Sequence, residues 1–317
     1  MSGAPGSAGD VAGRLAVAAG DALLGVVHFG STMTGSSPGK ASAHDLVAVV
    51  EPARTFFERT SALCPAPHGP SFLARLNRWI PPDILRFPPD ANGPGAKVFV
   101  IGKDDFERAL SPAAKDQFLR GRLMQHVAVV QARDPAAGRW LEECLATNRR
   151  AVVGWLRPWL PEPFDAEAFA RRMLEVSYGG EIRPESADRV GQVFAVQREH
   201  LIVTYERVLG DAAASGEIVR RGALFAYDPP PAERDRAASR RFFARSKRRA
   251  TWRWAKYVLT FDGWLDYLAA KVERRTGVKV HLTERRRRWP FLFLWPEFFR
   301  VMRARGRSGA GAGGAGR

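Results

Sequence analysis

Two apolar runs, separated by a stretch that cannot be a strand, set the frame for this chain. Val26-Val27-His28-Phe29 ends at Gly30-Ser31. Asp45 opens Leu46-Val47-Ala48-Val49-Val50, which closes on Glu51. A continuous apolar run of this length reads as a strand buried on both faces. Residues 32–44 are broken by Gly35, Pro38 and Gly39, so they form a loop rich in Gly, Ser and Thr. A Gly-Ser corner on one strand, beside a carboxylate heading another, supplies parts for holding a nucleoside triphosphate and its metal. Glycine lets backbone N–H groups come close to phosphate oxygens. The serine hydroxyl adds a donor, and the carboxylate can hold Mg²⁺. The same residues also fit two core strands joined by a flexible hairpin, and on their own they leave both readings open.

Further strands are expected at Lys97–Ile101 and Val127–Val130, with a short one at Ala223–Tyr227. Asp10 is expected to cap a helix carrying Val11, Leu15, Ala18 and Ala19 at helical spacing. Other helical patterns follow Pro52, cover Phe72–Trp79, and run from Asp104 through Phe106 and Leu110 to Phe118. The rest of Cys64–Gly95 reads as Pro- and Gly-rich loop. From Gly138 the pattern is helical to Leu156, again over Phe164–Val176, and over 188–209 as one or two helices. Val258, Phe261, Leu265, Leu268 and Val272 are spaced as one helix face. These elements divide into a sheet domain over 10–134, a helical and winged-helix-like domain over 135–210, a basic and aromatic region over 211–305, and a Gly/Ala/Arg tail over 306–317.

Charge narrows the function classes. The net charge is +16, with a pI near 10.7. Such a balance favours an anionic partner, either nucleic acid or an acidic membrane surface. Residues 234–257 interleave Arg and Lys with Phe242, Phe243, Trp252 and Trp254. Arg285–Arg288 is a four-Arg run, and Trp289, Phe291, Phe293 and Trp295 follow. Aromatics among cations suit headgroup depth at a membrane, or stacking on bases. The membrane reading is preferred, with nucleic acid the less favoured partner. The only two cysteines, Cys64 and Cys144, form no CxxC pair and are expected as free thiols. No secretory pattern opens the sequence, and no run of about 18 apolar residues could span a bilayer. No Ser-His-Asp or Cys-His set is apparent.

The opening pattern resembles the nucleotidyltransferase superfamily related to DNA polymerase beta, in which a Gly-Ser corner precedes two carboxylates flanking one apolar residue. Here Val47 stands in place of the second carboxylate. Within that superfamily the chain resembles the mitochondrial translocator assembly and maintenance family of peripheral phosphatidate cytidylyltransferases. In that family a single Asp heads the strand and an acid follows six residues on, as Asp45 and Glu51 do. Lys97-Val98-Phe99-Val100-Ile101 is similar to its Lys-Tyr-Gly-Val-Ile strand. Gly121-Arg122-Leu123 is similar to its Gly-Arg-Leu segment, with His126 where a Pro is usual. Leu160-Pro161-Glu162 with Phe164 resembles its Leu-Pro-Glu-x-Phe entry. Ser177-Tyr178-Gly179-Gly180-Glu181-Ile182-Arg183 resembles its Ser-Tyr-Ser-Gly-Asp-Phe-Arg. These motifs keep their order over about residues 20–210, and the last hundred residues match poorly.

The resemblance implies an α+β fold: a nucleotidyltransferase-like mixed sheet flanked by helices, then a helical domain and the basic, aromatic C-terminal region. It implies conversion of CTP and phosphatidate to CDP-diacylglycerol and pyrophosphate. Asp45 and Lys97 would be the catalytic residues. Asp45 with Glu51 would hold Mg²⁺, and Gly30, Ser31, Arg122, Ser177, Tyr178 and Arg183 would bind the nucleotide. The expected location is the inner face of a bacterial cell membrane, reached from the cytoplasm, or the mitochondrial inner membrane in a eukaryote. Two alternatives stand beside it: a nucleotidyltransferase with another acceptor, and a non-catalytic nucleic-acid-binding protein on a degenerate nucleotidyltransferase fold.

Overall fold

The central strand is β2 (His44–Val50), and its residues Leu46–Val50 are buried. Around it lie β1 (Leu23–Phe29), β3 (Asp83–Phe87), β4 (Ala96–Gly102) and β5 (Ala128–Ala132), in the order β3-β4-β2-β1-β5. β2 is antiparallel to β1 and parallel to β4; the β1–β5 and β3–β4 pairs are antiparallel. The fold is therefore α+β with a mixed sheet. A parallel neighbour needs a crossover, and the chain makes it with α3 (Ala53–Thr60), α4 (Pro70–Trp79) and β3. The computed structural model describes residues 7–36, 43–90, 93–180 and 187–260. All of these fall in one compact unit, Met1–Thr260, so the expected boundaries at 134/135 and 210/211 lie inside it.

Strand alternation gives the sheet two buried faces. Val26, Leu46, Ala48, Val50, Val98 and Val100 point to one core, shared with α1 (Ala8–Ala19), α3 and α4. Val27, Phe29, Val47, Val49, Phe99 and Ile101 point the other way, where α5 (Lys103–Leu110) and α7 (Pro135–Leu156) pack. Gly25 permits that approach. A Cβ there would lie 2.5 Å from Leu141 Cδ1 and 2.7 Å from the Gln131 carbonyl oxygen.

Several expected boundaries move. Ser7, not Asp10, caps α1, because the Ser7 Oγ accepts from the Asp10 N–H at 3.1 Å. Asp10 sits in the first turn, where a carboxylate suits the helix dipole. α5 stops at Leu110 before Ser111-Pro112, so Phe118 lies outside it. β3 was hidden between Pro81-Pro82 and Pro88-Pro89, which read as loop.

α8 (Ala166–Gly180) and α9 (Ala187–Ala214) build a second core with α7 and with a hairpin of β6 (Val219–Arg221) and β7 (Leu224–Ala226). Phe164, Phe169, Met173, Tyr205, Leu209 and Phe225 are buried in it. Gly210 does not end the helical segment. It lies inside α9, whose two packed flanks outweigh the roughly 1 kcal/mol that an interior glycine costs.

The basic block is the single helix α10 (Glu233–Thr260), and it is amphipathic. Phe243, Ser246, Arg253, Lys256 and Thr260 are buried. Arg253 and Lys256 therefore do not belong to a solvated charge run. Arg253 donates to Asp116 (2.8 Å) and to the Pro81 carbonyl (3.1 Å); Lys256 lies 2.6 Å from Asp83. Arg241, Arg245, Arg248 and Trp252 recur at i, i+4, i+7 and i+11 on the exposed side. Among the described residues no helix is long and apolar enough to cross a membrane. The expected helix face through Val272, the four-Arg run, the aromatics from Trp289 to Trp295 and the tail all lie outside the described residues.

Candidate functional site

β1 ends in a corner that only glycine fits. Gly30 has φ +82° and ψ −165°, a region essentially confined to glycine that costs other residues about 1–3 kcal/mol. A Cβ on it would also come within 2.7 Å of Asp45 Oδ2. Four residues of helix follow, α2 (Ser31–Thr34), with the Met33 and Thr34 N–H groups both donating to the Gly30 carbonyl at 3.1 Å. Antiparallel pairing sets Phe29 opposite Asp45, so the corner and the carboxylate meet although a loop separates them in the chain. Parallel pairing then sets Asp45 beside Lys97 on β4. Lys97 Nζ lies 3.4 Å from Asp45 Oδ1, and about a quarter of each side chain is exposed. The structure thus brings together Gly30, Ser31, Asp45 and Lys97. The Ser31 hydroxyl has no hydrogen-bond partner among the described residues.

The corner rests on a buried histidine. His28, 7% exposed, shares a 3.0 Å hydrogen bond between its Nε2 and Thr32 Oγ1, tying α2 to β1. The His44 ring packs edge-on to it, with centroids 5.4 Å apart. Burial, and then the neighbouring His44, push His28 down to about 4, against the opposing pull of the Asp45 carboxylate. His28 is therefore a neutral imidazole near pH 7 and positions the corner. The sequence carries no signal for this role beyond a histidine inside an apolar strand.

The remaining expected residues separate. Glu51 follows the far end of β2. Six extended residues put it about 20 Å from Asp45, and it faces Lys103 instead, at 3.9 Å. One metal ion cannot be held by both carboxylates. Arg122, in the short helix α6 (Arg120–Leu123), lies over the Phe118 ring at 3.9 Å and donates to the Phe118 carbonyl. Phe118 packs on Phe99, and Phe99 on Phe29, which places Arg122 on the Asp45 side of the sheet, two ring contacts from the corner. Ser177 and Tyr178 are helical residues. They lie near the end of α8, whose last turn includes Gly179 and Gly180. Ser177 is 2% exposed, and Tyr178 packs against the helical core, so the serine hydroxyl faces protein. Arg183 lies outside the described residues.

The donor set suits Mg²⁺ carried in by phosphate. Among the described residues no group of three or more His, Cys, Asp or Glu side chains converges on a metal position. Mg²⁺ commonly takes only one or two carboxylates and completes its shell with phosphate oxygens and water. Asp45 is one such hard oxygen donor, and its Oδ2 lies against Gly30, closer than a Cβ there would allow. Comparison with protein-family models finds no match for this chain, and comparison with curated proteins finds no significant relative.

Proposed function

We propose that the Gly30–Asp45 corner binds a nucleoside triphosphate with Mg²⁺ and that the chain is a nucleotidyltransferase, converting CTP and phosphatidate to CDP-diacylglycerol and pyrophosphate. One observation carries this: the strand that ends at Gly30 returns antiparallel so that Asp45 meets the glycine, with Lys97 held 3.4 Å from the carboxylate.

The residues suit the chemistry. Bound Mg²⁺ would neutralise triphosphate charge and polarise the phosphate under attack. Ser31 and the nearby backbone N–H groups would donate to the β- and γ-phosphates, and Asp45 would hold the metal. Lys97, which balances Asp45 in the absence of ligand, turns to phosphate oxygens. The attacking group is a phosphate monoester, ionised near neutral pH, so no general base is needed. Buried, neutral His28 accordingly only holds the corner. The rate comes from positioning and charge neutralisation.

The acceptor is a lipid, and the exposed stripe of α10 supplies a surface for meeting it. Arg241, Arg245 and Arg248 form no ion pair among the described residues, and Trp252 is 60% exposed beside them. Each cation adds about 1 kcal/mol at an anionic membrane. The proposed location is peripheral, on the inner face of a bacterial cell membrane or on the mitochondrial inner membrane. The separation of Glu51 from Asp45 favours a second reading, a nucleic-acid-binding protein without transfer activity, in which the same stripe tracks phosphates.

The deciding experiment is pyrophosphate release with Mg²⁺ and each of the four nucleoside triphosphates, with and without phosphatidate vesicles. Release with CTP that depends on phosphatidate, and is lost in Asp45→Ala, is expected. Release that ignores lipid removes the acceptor. Full activity in Asp45→Ala removes the site.

A further inference from the structure

A cationic cleft opens at the other end of the same sheet face. Its wall includes Ile101 of β4, four residues beyond Lys97 and therefore about 13 Å along the strand. The cleft holds about 60 Å³, room for several waters or one phosphate group. Five cations line it: Arg78 from α4, Arg108 from α5, Lys115 from the loop after α5, and Arg249 and Arg253 from α10. Only two carboxylates do, Asp105 and Asp116.

Those carboxylates are already engaged. Asp105 pairs with Arg108. Asp116 Oδ2 accepts from both Arg249 Nε (2.9 Å) and Arg253 Nη2 (2.8 Å). Arg78 and Lys115 are exposed and have no ion-pair partner among the described residues. Arg253 is 2% exposed, and its Nη1 is buried without any hydrogen-bond partner. A buried guanidinium donor left unpaired is costly, and three excess cations around one small cleft repel one another. The repulsion falls if an anion enters. Trp79, 63% exposed, stands at the edge.

We propose that this cleft binds a phosphate group, with Arg78 and Lys115 capturing it at the mouth and Arg249 meeting it within. The ligand class is a phosphate monoester, either free or as a lipid headgroup. The distance from Asp45 makes it a docking or regulatory site separate from the nucleotide corner.

The test is calorimetric titration of the full chain with inorganic phosphate at low ionic strength, in wild type, Arg78→Ala, Lys115→Ala and Lys115→Glu. Wild type binds; each alanine weakens binding about tenfold, the worth of one charge-assisted contact; the reversal abolishes it. Both positions are exposed and unpaired, so the urea midpoint is unchanged. No phosphate binding by wild type, or undiminished affinity in a folded Arg78→Ala/Lys115→Ala double variant, overturns the site. Two further arms identify the source. Loss of phosphatidate-dependent vesicle pelleting in the double variant assigns a lipid headgroup. Unchanged pelleting, with glycerol 3-phosphate bound at the cleft, assigns a soluble ligand. Duplex oligonucleotide retention lost in the double variant, without phosphate binding, assigns the cleft to nucleic acid and refutes the proposal. No arm contains a nucleoside triphosphate, so the result is independent of the Asp45 reading.

Discussion

Replacing Lys256 by Met tests whether α10 is fixed to the sheet by charge. Lys256 Nζ lies 2.6 Å from Asp83 Oδ1, and the two side chains are 1% and 0% exposed. Nζ also donates to the Pro82 carbonyl at 2.8 Å and to the Ile80 carbonyl. Asp83 Oδ2 accepts from Asn77 at 3.0 Å, and Asn77 in turn donates to the Val100 carbonyl at 2.8 Å. Burial pushes the Lys256 ammonium down to about 8, against the pull of Asp83, and pushes the Asp83 carboxyl up. The pair survives because each member neutralises the other. Lys256→Met removes one partner and leaves the other charge buried with two carbonyls unmet, which costs about 3–5 kcal/mol. Asp83→Asn strands the ammonium and costs a similar amount. The double variant Asp83→Asn/Lys256→Met leaves no buried charge, so its loss is smaller than the sum by about 2 kcal/mol or more. Urea unfolding followed by circular dichroism reads all three. Single variants within about 1 kcal/mol of wild type and additive in the double would refute the argument, because the pair would then behave as a solvated one.

Three other outcomes are expected. Gly30→Ala combines a positive φ with a 2.7 Å contact on Asp45 Oδ2, so it lowers stability by about 2–3 kcal/mol and pyrophosphate release about a hundredfold, and wild-type behaviour would refute the corner geometry. His28 titrates at about 4 when folded and 6.5 when unfolded, so its contribution is intact above pH 6.5 and is lost as pH falls from 6.5 towards 4. The loss reaches about 3 kcal/mol, and His28→Leu should flatten that part of a stability-versus-pH curve, whereas an unchanged slope would assign it to other groups. Arg241→Glu/Arg245→Glu/Arg248→Glu should weaken pelleting with anionic vesicles by at least about a hundredfold at low salt, leave the unfolding midpoint near wild type, and leave vesicles without anionic lipid unaffected.

The candidate corner was legible because strand chemistry is local. Val26–Phe29 and Leu46–Val50 are apolar enough to be buried on both faces, and Gly30 marks a point where the chain turns with positive φ. β4 was legible for the same reason, and α4, α7 and α8 through their apolar spacing. β3 was not, since five residues between proline pairs carry too little periodicity to outweigh their flanks. The Ser177–Gly180 motif could be read in the sequence, but the packing of α8 on α9 that makes it helical could not.

What the chain decides by itself is therefore that β1, β2 and β4 are strands, where the glycine corner falls, and that Asp45 stands near the head of β2. Pairing decides the rest. Antiparallel β1–β2 and parallel β2–β4 ladders bring Gly30, Asp45 and Lys97 to one end, and the length of β2 carries Glu51 to the other. The basic block shows the same division. Its charge is plain in the sequence, but only the partners Asp83 and Asp116, distant in the chain, determine that Lys256 and Arg253 turn inward while Arg241, Arg245 and Arg248 remain outside. These two charges are buried where an opposite charge meets them, and that is a fact about the tertiary structure.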